Sequence, residues 1–270
     1  MMKKNLLLIL MCFVCGLVYA HDGLNFRNLD VKSGISDNYV RSVLRDQYGF
    51  MWFATLNGLN RYDGYQFKKY TTTQLGAYNN DIESIAEDAA GNIWIKGPVS
   101  YYIYDREQDK LENKIQPVLN KYGITGEVSY LTVDKDYNLW CTVMDTLFHY
   151  DFAKSKLHTF QLPGKEKMQQ VVCRRSCAYL LFSNGEIARI DSNFQHIRPE
   201  TRRTISSGLQ YNLYIDTVDR LWFYASHASG LQCYDTNQKQ WIDYVGRQEV
   251  TDALITAVMD DGDGNLWIGT

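Results

Sequence analysis

Proline is scarce in this chain, with 4 in 270 residues, and Lys and Arg form no runs although the formal net charge is only −3. The missing basic runs exclude the electrostatic footprint of a nucleic-acid binder, so no nucleic-acid contacts are expected. Beyond residue 20 no stretch is long and apolar enough for a membrane span, which takes about 20 residues. Cysteine is sparse there too. Cys141, Cys173, Cys177 and Cys233 contain no C-x-x-C pair and no zinc spacing, and are too few for a disulfide framework. Cys173 and Cys177 either bridge or stay buried thiols, and spacing alone does not decide. His21, His149, His158, His196 and His227 are scattered, without the H-x-H or H-E-x-x-H spacing of a metal centre. "DGDGN" at 261–265 starts like a calcium loop, but Leu266 stands where that loop needs Gly. No G-x-S-x-G and no phosphate loop occurs. Neither a cofactor nor a metal is expected.

What is present is aromatic. The chain holds 20 Tyr, 11 Phe and 6 Trp in a composition 45% hydrophobic, the profile of a globular domain rich in strand formers. Its first twenty residues differ from the rest. "MMKKNLLLILMCFVCGLVYA" has two lysines, an apolar run from Leu6 to Val18, and small Ala20 closing it. That is a secretory signal peptide over 1–20 with cleavage after Ala20, the alternative being a retained anchor. Cys12 and Cys15 lack the preceding small residues of a lipidation site. The remainder, 21–270, is expected to be exported, in a bacterial cell to the periplasm.

The exported part repeats. Taking Trp52 as an anchor, the same surroundings return at Trp94, Trp140, Trp222 and Trp267, at gaps of 42, 46, 82 and 45 residues. The gap of 82 is about two periods, and Leu180 is the expected anchor of a degenerate copy within it. Six residues before each tryptophan stands an acid: Asp46, Asp88, Asp134, Asp216 and Asp261. Three before stand Gly49, Gly91, Tyr137, Asp219 and Gly264. Tyr-Asp or Ile-Asp pairs follow the first five anchors at a nearly fixed offset, two residues late after Trp222.

Each unit decodes as four strands. In the first they are "YVRSVLRD", "GFMWFAT", "GLNRYDG" and "YQFKKY", with Asp63-Gly64 as a hairpin turn between the last two. Phe50 and Trp52 make one face of the second strand apolar, and Met51 and Phe53 the other, so sheets must cover it on both sides. Four antiparallel strands repeated every 40 to 46 residues is the sequence form of a β-propeller. The expected fold is all-β, with about five and a half four-stranded blades in 21–270. Tryptophans pack between blades, and the acids make turns.

"GISDNYVRSVLRDQYGFMWFATLNGLNRYDGYQFKKY" and the closing "DDGDGNLWIGT" resemble two-component regulator propeller repeats, over essentially all of 21–270. The resemblance implies the periplasmic sensor half of a hybrid two-component histidine kinase in glycan-degrading Gram-negative bacteria. In that family seven-bladed propellers stand before a β-sandwich, a transmembrane helix and a cytoplasmic kinase with receiver and DNA-binding domains, and the sensor dimerises. It would recognise an oligosaccharide and control glycan-utilisation genes. On this view 1–270 is an amino-terminal fragment that is itself no enzyme, belongs to an inner-membrane protein, and meets the membrane only through carboxy-terminal parts it lacks. Segment 24–30, "LNFRNLD", is expected to be an outer strand awaiting the last blade.

A ligand site should lie on the face formed by loops entering each first strand and linking the second strand to the third. Its candidates are Asp37, Asn38, Tyr39, Asn57, Asn79, Asn80 and Asp81, and in the fifth unit Ser226, His227 and Ser229. Amides, carboxylates and aromatic rings suit sugar hydroxyls and ring faces. Two other readings stay open: a secreted scaffold for a partner protein, and a propeller lyase or glycosidase using paired carboxylates.

Overall fold

The computed structural model describes residues 27–270 apart from 165, 175–176, 207, 227, 229 and 243–253. The predicted signal peptide, His21, His227 and Ser229 lie outside the described residues. Five four-stranded antiparallel sheets follow one another along the chain, with a two-stranded pair after them. Sheet 1 holds β1 (Val40–Arg45), β2 (Met51–Thr55), β3 (Gly58–Tyr62) and β4 (Phe67–Tyr70). Sheet 2 holds β5 (Ser84–Glu87), β6 (Ile93–Lys96), β7 (Tyr101–Asp105) and β8 (Lys110–Glu112). Sheet 3 holds β9 (Val128–Val133), β10 (Leu139–Val143), β11 (Thr146–Asp151) and β12 (Lys156–Gln161). Sheet 4 holds β13 (Met168–Arg174), β14 (Cys177–Phe182), β15 (Glu186–Ile190) and β16 (Ile197–Arg202). Sheet 5 holds β17 (Tyr211–Ile215), β18 (Arg220–Ala225), β19 (Leu231–Asp235) and β20 (Gln240–Ile242). The last pair is β21 (Ala257–Asp260) and β22 (Leu266–Gly269). One short helix, α1 (Gln116–Lys121), connects sheets 2 and 3.

Within each four-stranded sheet the strands lie in chain order, and first strands contact the first strands of neighbouring sheets. The blades therefore stack face to face, as in a β-propeller. Five apolar cores fill the spaces between them. Trp52 and Leu59 meet Ile82, Ile93 and Ile95 across sheets 1 and 2. Trp94 meets Leu131, Leu139 and Cys141 across sheets 2 and 3. Trp140 meets Val171, Ala178 and Leu180 across sheets 3 and 4. Trp222 meets Ile255 and Val258 beyond sheet 5. Because side chains alternate along a strand, each central strand feeds two consecutive cores, and its tryptophan always faces the next sheet.

The acid six residues upstream does more than shape a turn. One oxygen of Asp88 accepts the backbone N–H groups of Ala90 and Asn92 at 3.0 Å, and the other accepts the Trp94 indole N–H at 2.8 Å. Asp46, Asp134, Asp216 and Asp261 do the same for Trp52, Trp140, Trp222 and Trp267, at 2.9, 2.8, 2.8 and 3.4 Å. The third position of each loop is left-handed, which explains its Gly in three copies and strains Tyr137 (φ 62°) and Asp219 (φ 64°) in the other two.

The fourth unit corrects the sequence reading. Leu180 faces back, into the core with sheet 3, whereas Tyr179 faces sheet 5 and takes the place of tryptophan. The ladders agree, because Tyr179 lies opposite Val172 and Arg189 as Trp140 lies opposite Thr132 and His149. Here β13 ends at Arg174 and β14 begins at Cys177, a closer spacing than in the other units, and the next hairpin is one residue longer than in the first three. Of the two readings left open for Cys173 and Cys177 the structure takes the thiols, and two further expectations change. Cys173 packs toward sheet 3 and Cys177 toward sheet 5, on opposite faces of one sheet, so both are free thiols. Asp63-Gly64 belongs to a four-residue turn in which Asp63 accepts from the N–H groups of Tyr65 and Gln66 at 2.8 Å. Residues 27–30 of the expected outer strand form no strand, and 24–26 lie outside the described residues.

Inner strands are edge strands whose outward N–H groups have no ladder partner. The preceding sheet supplies acceptors at one equivalent position. Ile85 N–H donates to Ser42 Oγ (3.4 Å), Leu131 to Tyr101 Oη (2.9 Å), Val171 to Tyr130 Oη (3.0 Å) and Leu213 to Gln170 Oε1 (2.7 Å).

Candidate functional site

Two loops, one entering sheet 1 and one linking it to sheet 2, shape the face on which the sequence places its candidates. In the first, Asp30 accepts the N–H groups of Lys32 and Ser33 at 3.0 Å, and Asn38 Oδ1 accepts from Val31 N–H at 2.9 Å. Asp37 Oδ1 accepts the N–H of Tyr39 at 2.7 Å, closing a turn that leaves the Tyr39 side chain 53% exposed. A buried hub anchors this loop to the sheet. Asn60 Oδ1 accepts from Ser36 N–H (2.8 Å), Asn60 Nδ2 donates to Ser36 Oγ (2.7 Å), and Ser36 Oγ lies 2.9 Å from Thr55 Oγ1. Gly58 between them has φ 112°, and a Cβ there would meet Tyr70 O at 2.6 Å.

The second loop, 71–83, is built on Asn80. Its Oδ1 accepts from the N–H groups of Thr72 and Thr73 and from Thr73 Oγ1, each at 3.0 Å. Thr72 Oγ1 donates to Asn79 O at 2.8 Å, and Asp81 N–H to Asn79 Oδ1 at 3.2 Å. Asn38, Asn79 and Asn80 thus spend their oxygens on holding the loops.

The loops converge on Arg41, which the sequence reading did not single out. Its Nη2 donates to Asp81 Oδ2 at 3.1 Å, and its guanidinium lies 5.9 Å from the centre of the Tyr39 ring. Asp81 Oδ1 is buried and has no hydrogen-bond partner, an unmet acceptor beside a cation and an aromatic ring. Asn57 closes the group, its Oδ1 lying 3.5 Å from Asn80 Nδ2. Beside them Lys96 pairs with Glu83 at 2.7 Å, and the Tyr78 ring stands fully exposed. Tyr39, Asn57, Asn80 and Asp81 are therefore brought together, with Arg41 joining Tyr39 to Asp81 and Asn80 joining Asn57. Ser226 is not among them. It sits in sheet 5, where its Oγ accepts from Asn212 Nδ2 at 2.6 Å. An arginine alternating with Tyr39 along an inner strand is the signal that would have pointed to Arg41.

The arrangement offers planar amides, an ion pair and an aromatic ring on a loop surface, the chemistry of polar recognition. Among the described residues no group of three or more His, Cys, Asp and Glu is placed to hold a metal, and no helix is long and apolar enough to cross a membrane.

Residues 34–57 and 250–270 match the two component regulator propeller family model. The two matched stretches lie in the first and the last of the repeating units. No match was found among curated proteins. Solved structures agree on the fold. The extracellular domain of a putative hybrid two component system from B. thetaiotaomicron matches with a TM-score of 0.62 and 21% identity, over 90% of this chain and 34% of that one. A second such domain from the same organism gives 0.60 and 19%, over 93% and 35%. A virginiamycin B lyase from Staphylococcus aureus gives 0.60 and 16%, over 93% and 82%. At these identities the likeness is one of fold. This propeller-repeat chain spans about a third of the length of the two-component structures it matches.

Proposed function

We propose that the chain is the extracytoplasmic sensing part of a hybrid two-component signalling protein, exported through its amino-terminal segment and recognising an oligosaccharide. The single observation that carries this reading is the loop cluster of Tyr39, Arg41, Asn57, Asn80 and Asp81 on a scaffold of regulator propeller repeats. A sugar needs donors and acceptors in a plane and a ring to lie against, and the cluster has both. Ser226, after β18, would add a second contact point. Signal output then requires that the ligand favour one arrangement of a sensor dimer by a few kcal/mol. Kinase activity and control of glycan-utilisation genes belong to the longer protein, and recognition in this region involves no catalysis.

The test is a screen of neutral and acidic oligosaccharides by calorimetry, followed by Tyr39→Ala and Arg41→Ala. One saccharide class should bind, and each substitution should weaken it by tenfold or more while leaving the melting temperature within about 2 °C. If no saccharide binds the folded protein, or binding survives both substitutions, the reading is wrong.

A further inference from the structure

On the opposite face, at the outer margin between sheets 4 and 5, two arginines break a rule of sheet pairing. Arg189 of β15 lies directly opposite Arg198 of β16 in the antiparallel ladder. Like charges at directly opposed positions, with Cβ atoms about 5 Å apart, destabilise a sheet unless something lies between them. Both line a groove of 290 Å³ together with Lys239, from the β19–β20 turn of the next sheet, and Ser192. Three cations thus converge from two blades.

Two carboxylates, Asp191 and Glu200, line the same groove, and Glu200 favours the charge on Arg189, so the cations exceed the acids by one. Asp191 is engaged by the N–H of Gln195 at 2.8 Å and by His196 at 3.3 Å, and Glu200 accepts from Tyr234 Oη at 3.3 Å. Among the described residues no ion pair joins Arg189, Arg198 or Lys239 to a carboxylate. Arg189 is held at its far end, where Nη2 contacts Cys177 Sγ at 3.1 Å and the guanidinium sits 6.0 Å from the centre of the Tyr179 ring. Its Nε is buried and has no acceptor. A fixed guanidinium with an unmet donor, a second arginine opposite and a lysine across the groove form a fork for a compact oxyanion.

We infer that this groove is an oxyanion-binding site, separate from the loop face, for a sulfate, phosphate or carboxylate group carried by a ligand or free in solution. The bound anion would supply a further counter-charge to the Arg189–Arg198 pair and an acceptor for the unmet Arg189 Nε. A like-charge pair opposed in a ladder and balanced only in part by Glu200 is where function is expected to sit.

The test is thermal unfolding of the full chain titrated with sodium sulfate, sodium phosphate or sodium glucuronate, each against sodium chloride at equal ionic strength. At least one anion should raise the melting temperature saturably, by about 3 °C at ten times its dissociation constant. Arg198→Gln and Lys239→Gln, both at exposed positions, should each remove most of that increment. Arg198→Gln should also melt higher than the parent protein in chloride alone, because the repulsion is gone. Which anion saturates distinguishes an inorganic ligand from a sugar acid. A shift that is linear and identical in all three proteins is general salting and overturns the inference, as does the absence of any anion-specific shift.

Discussion

Asp88 serves four donors with two oxygens: Oδ1 takes the N–H groups of Ala90 and Asn92, Oδ2 takes the Trp94 indole, and the Asn92 side-chain amide reaches both, at 3.1 and 2.8 Å. Burial pushes its carboxyl above the ordinary range, so the group is kept in place against a desolvation penalty. Removing it leaves a buried indole N–H and two turn amides unmet. Asp88→Ala should therefore cost about 2–4 kcal/mol in urea unfolding, while Asp261→Ala, whose carboxylate is exposed, should shift the unfolding midpoint far less. A second buried group at this scale is His149, 2% exposed, stacked 4.0 Å from Trp140 and 4.8 Å from Phe194, with neither ring nitrogen hydrogen-bonded. Asp134, Asp151, Lys154 and His158 surround it, Asp134 Oδ2 at 3.9 Å. Burial first, then His158, holds its pKa down to about 4. The unfolded imidazole takes its proton near pH 6.5, so between these values the unfolded chain binds more protons and stability falls as acid is added. His149→Phe preserves the stack and should flatten that part of the pH profile, worth up to about 3 kcal/mol at pH 4, without loss at pH 7. Melting curves from pH 7 to 4.5 read this directly, and a parallel decline in both proteins would remove His149 as the cause.

At the scale of strands and hairpins, what the sequence made legible was whatever keeps constant spacing. The acid, the turn residue and the tryptophan occupy a loop of fixed length, so five units could be read without coordinates. The fourth was misread by one residue, since its anchor stands seven residues after its partner in the first hairpin, against eight in the other units, and ten before its partner in the second, against nine in the first three. Counting from flanking anchors therefore lands on Leu180, and only the ladder shows that Tyr179 points the right way. The candidate site was legible to the same extent. Repeat phase tells which loops share an end of the sheets, which brings Tyr39, Asn57, Asn80 and Asp81 to one place. It does not tell that Arg41 meets Asp81, forty residues on, because that contact depends on how adjacent sheets are staggered. The same stagger sets the caps on the inner strands. Tyr130→Phe removes only the oxygen that accepts from Val171 N–H. It should cost about 1–2 kcal/mol and speed amide exchange at Val171 in particular. Unchanged exchange there would mean the N–H has another acceptor in solution.

For the molecule as a whole, stacked sheets make stability close to a sum over neighbouring interfaces, each filled by an anchor from one sheet and aliphatic residues from the next. The consequence is visible at the two ends of the stack. Trp52, Trp94, Trp140 and Trp222 are buried, each with a sheet over it, whereas Trp267, clamped by the same kind of aspartate, is 62% exposed. At the other end Val43 is 53% exposed, and Met51 and Phe53 are half-buried. Local geometry is thus complete in the last pair without the packing that protects its ring. Acrylamide quenching separates the two conditions. In the described stack most of the quenchable tryptophan emission should come from Trp267, with a smaller share from half-buried Trp241, and Trp267→Phe should abolish most of it. The emission that remains should be that of rings screened between sheets. If Trp267→Phe leaves the quenching curve unchanged, the ring is covered in solution. Dilution over two decades of concentration then distinguishes a second copy of the chain, which releases it, from a rearranged stack, which does not.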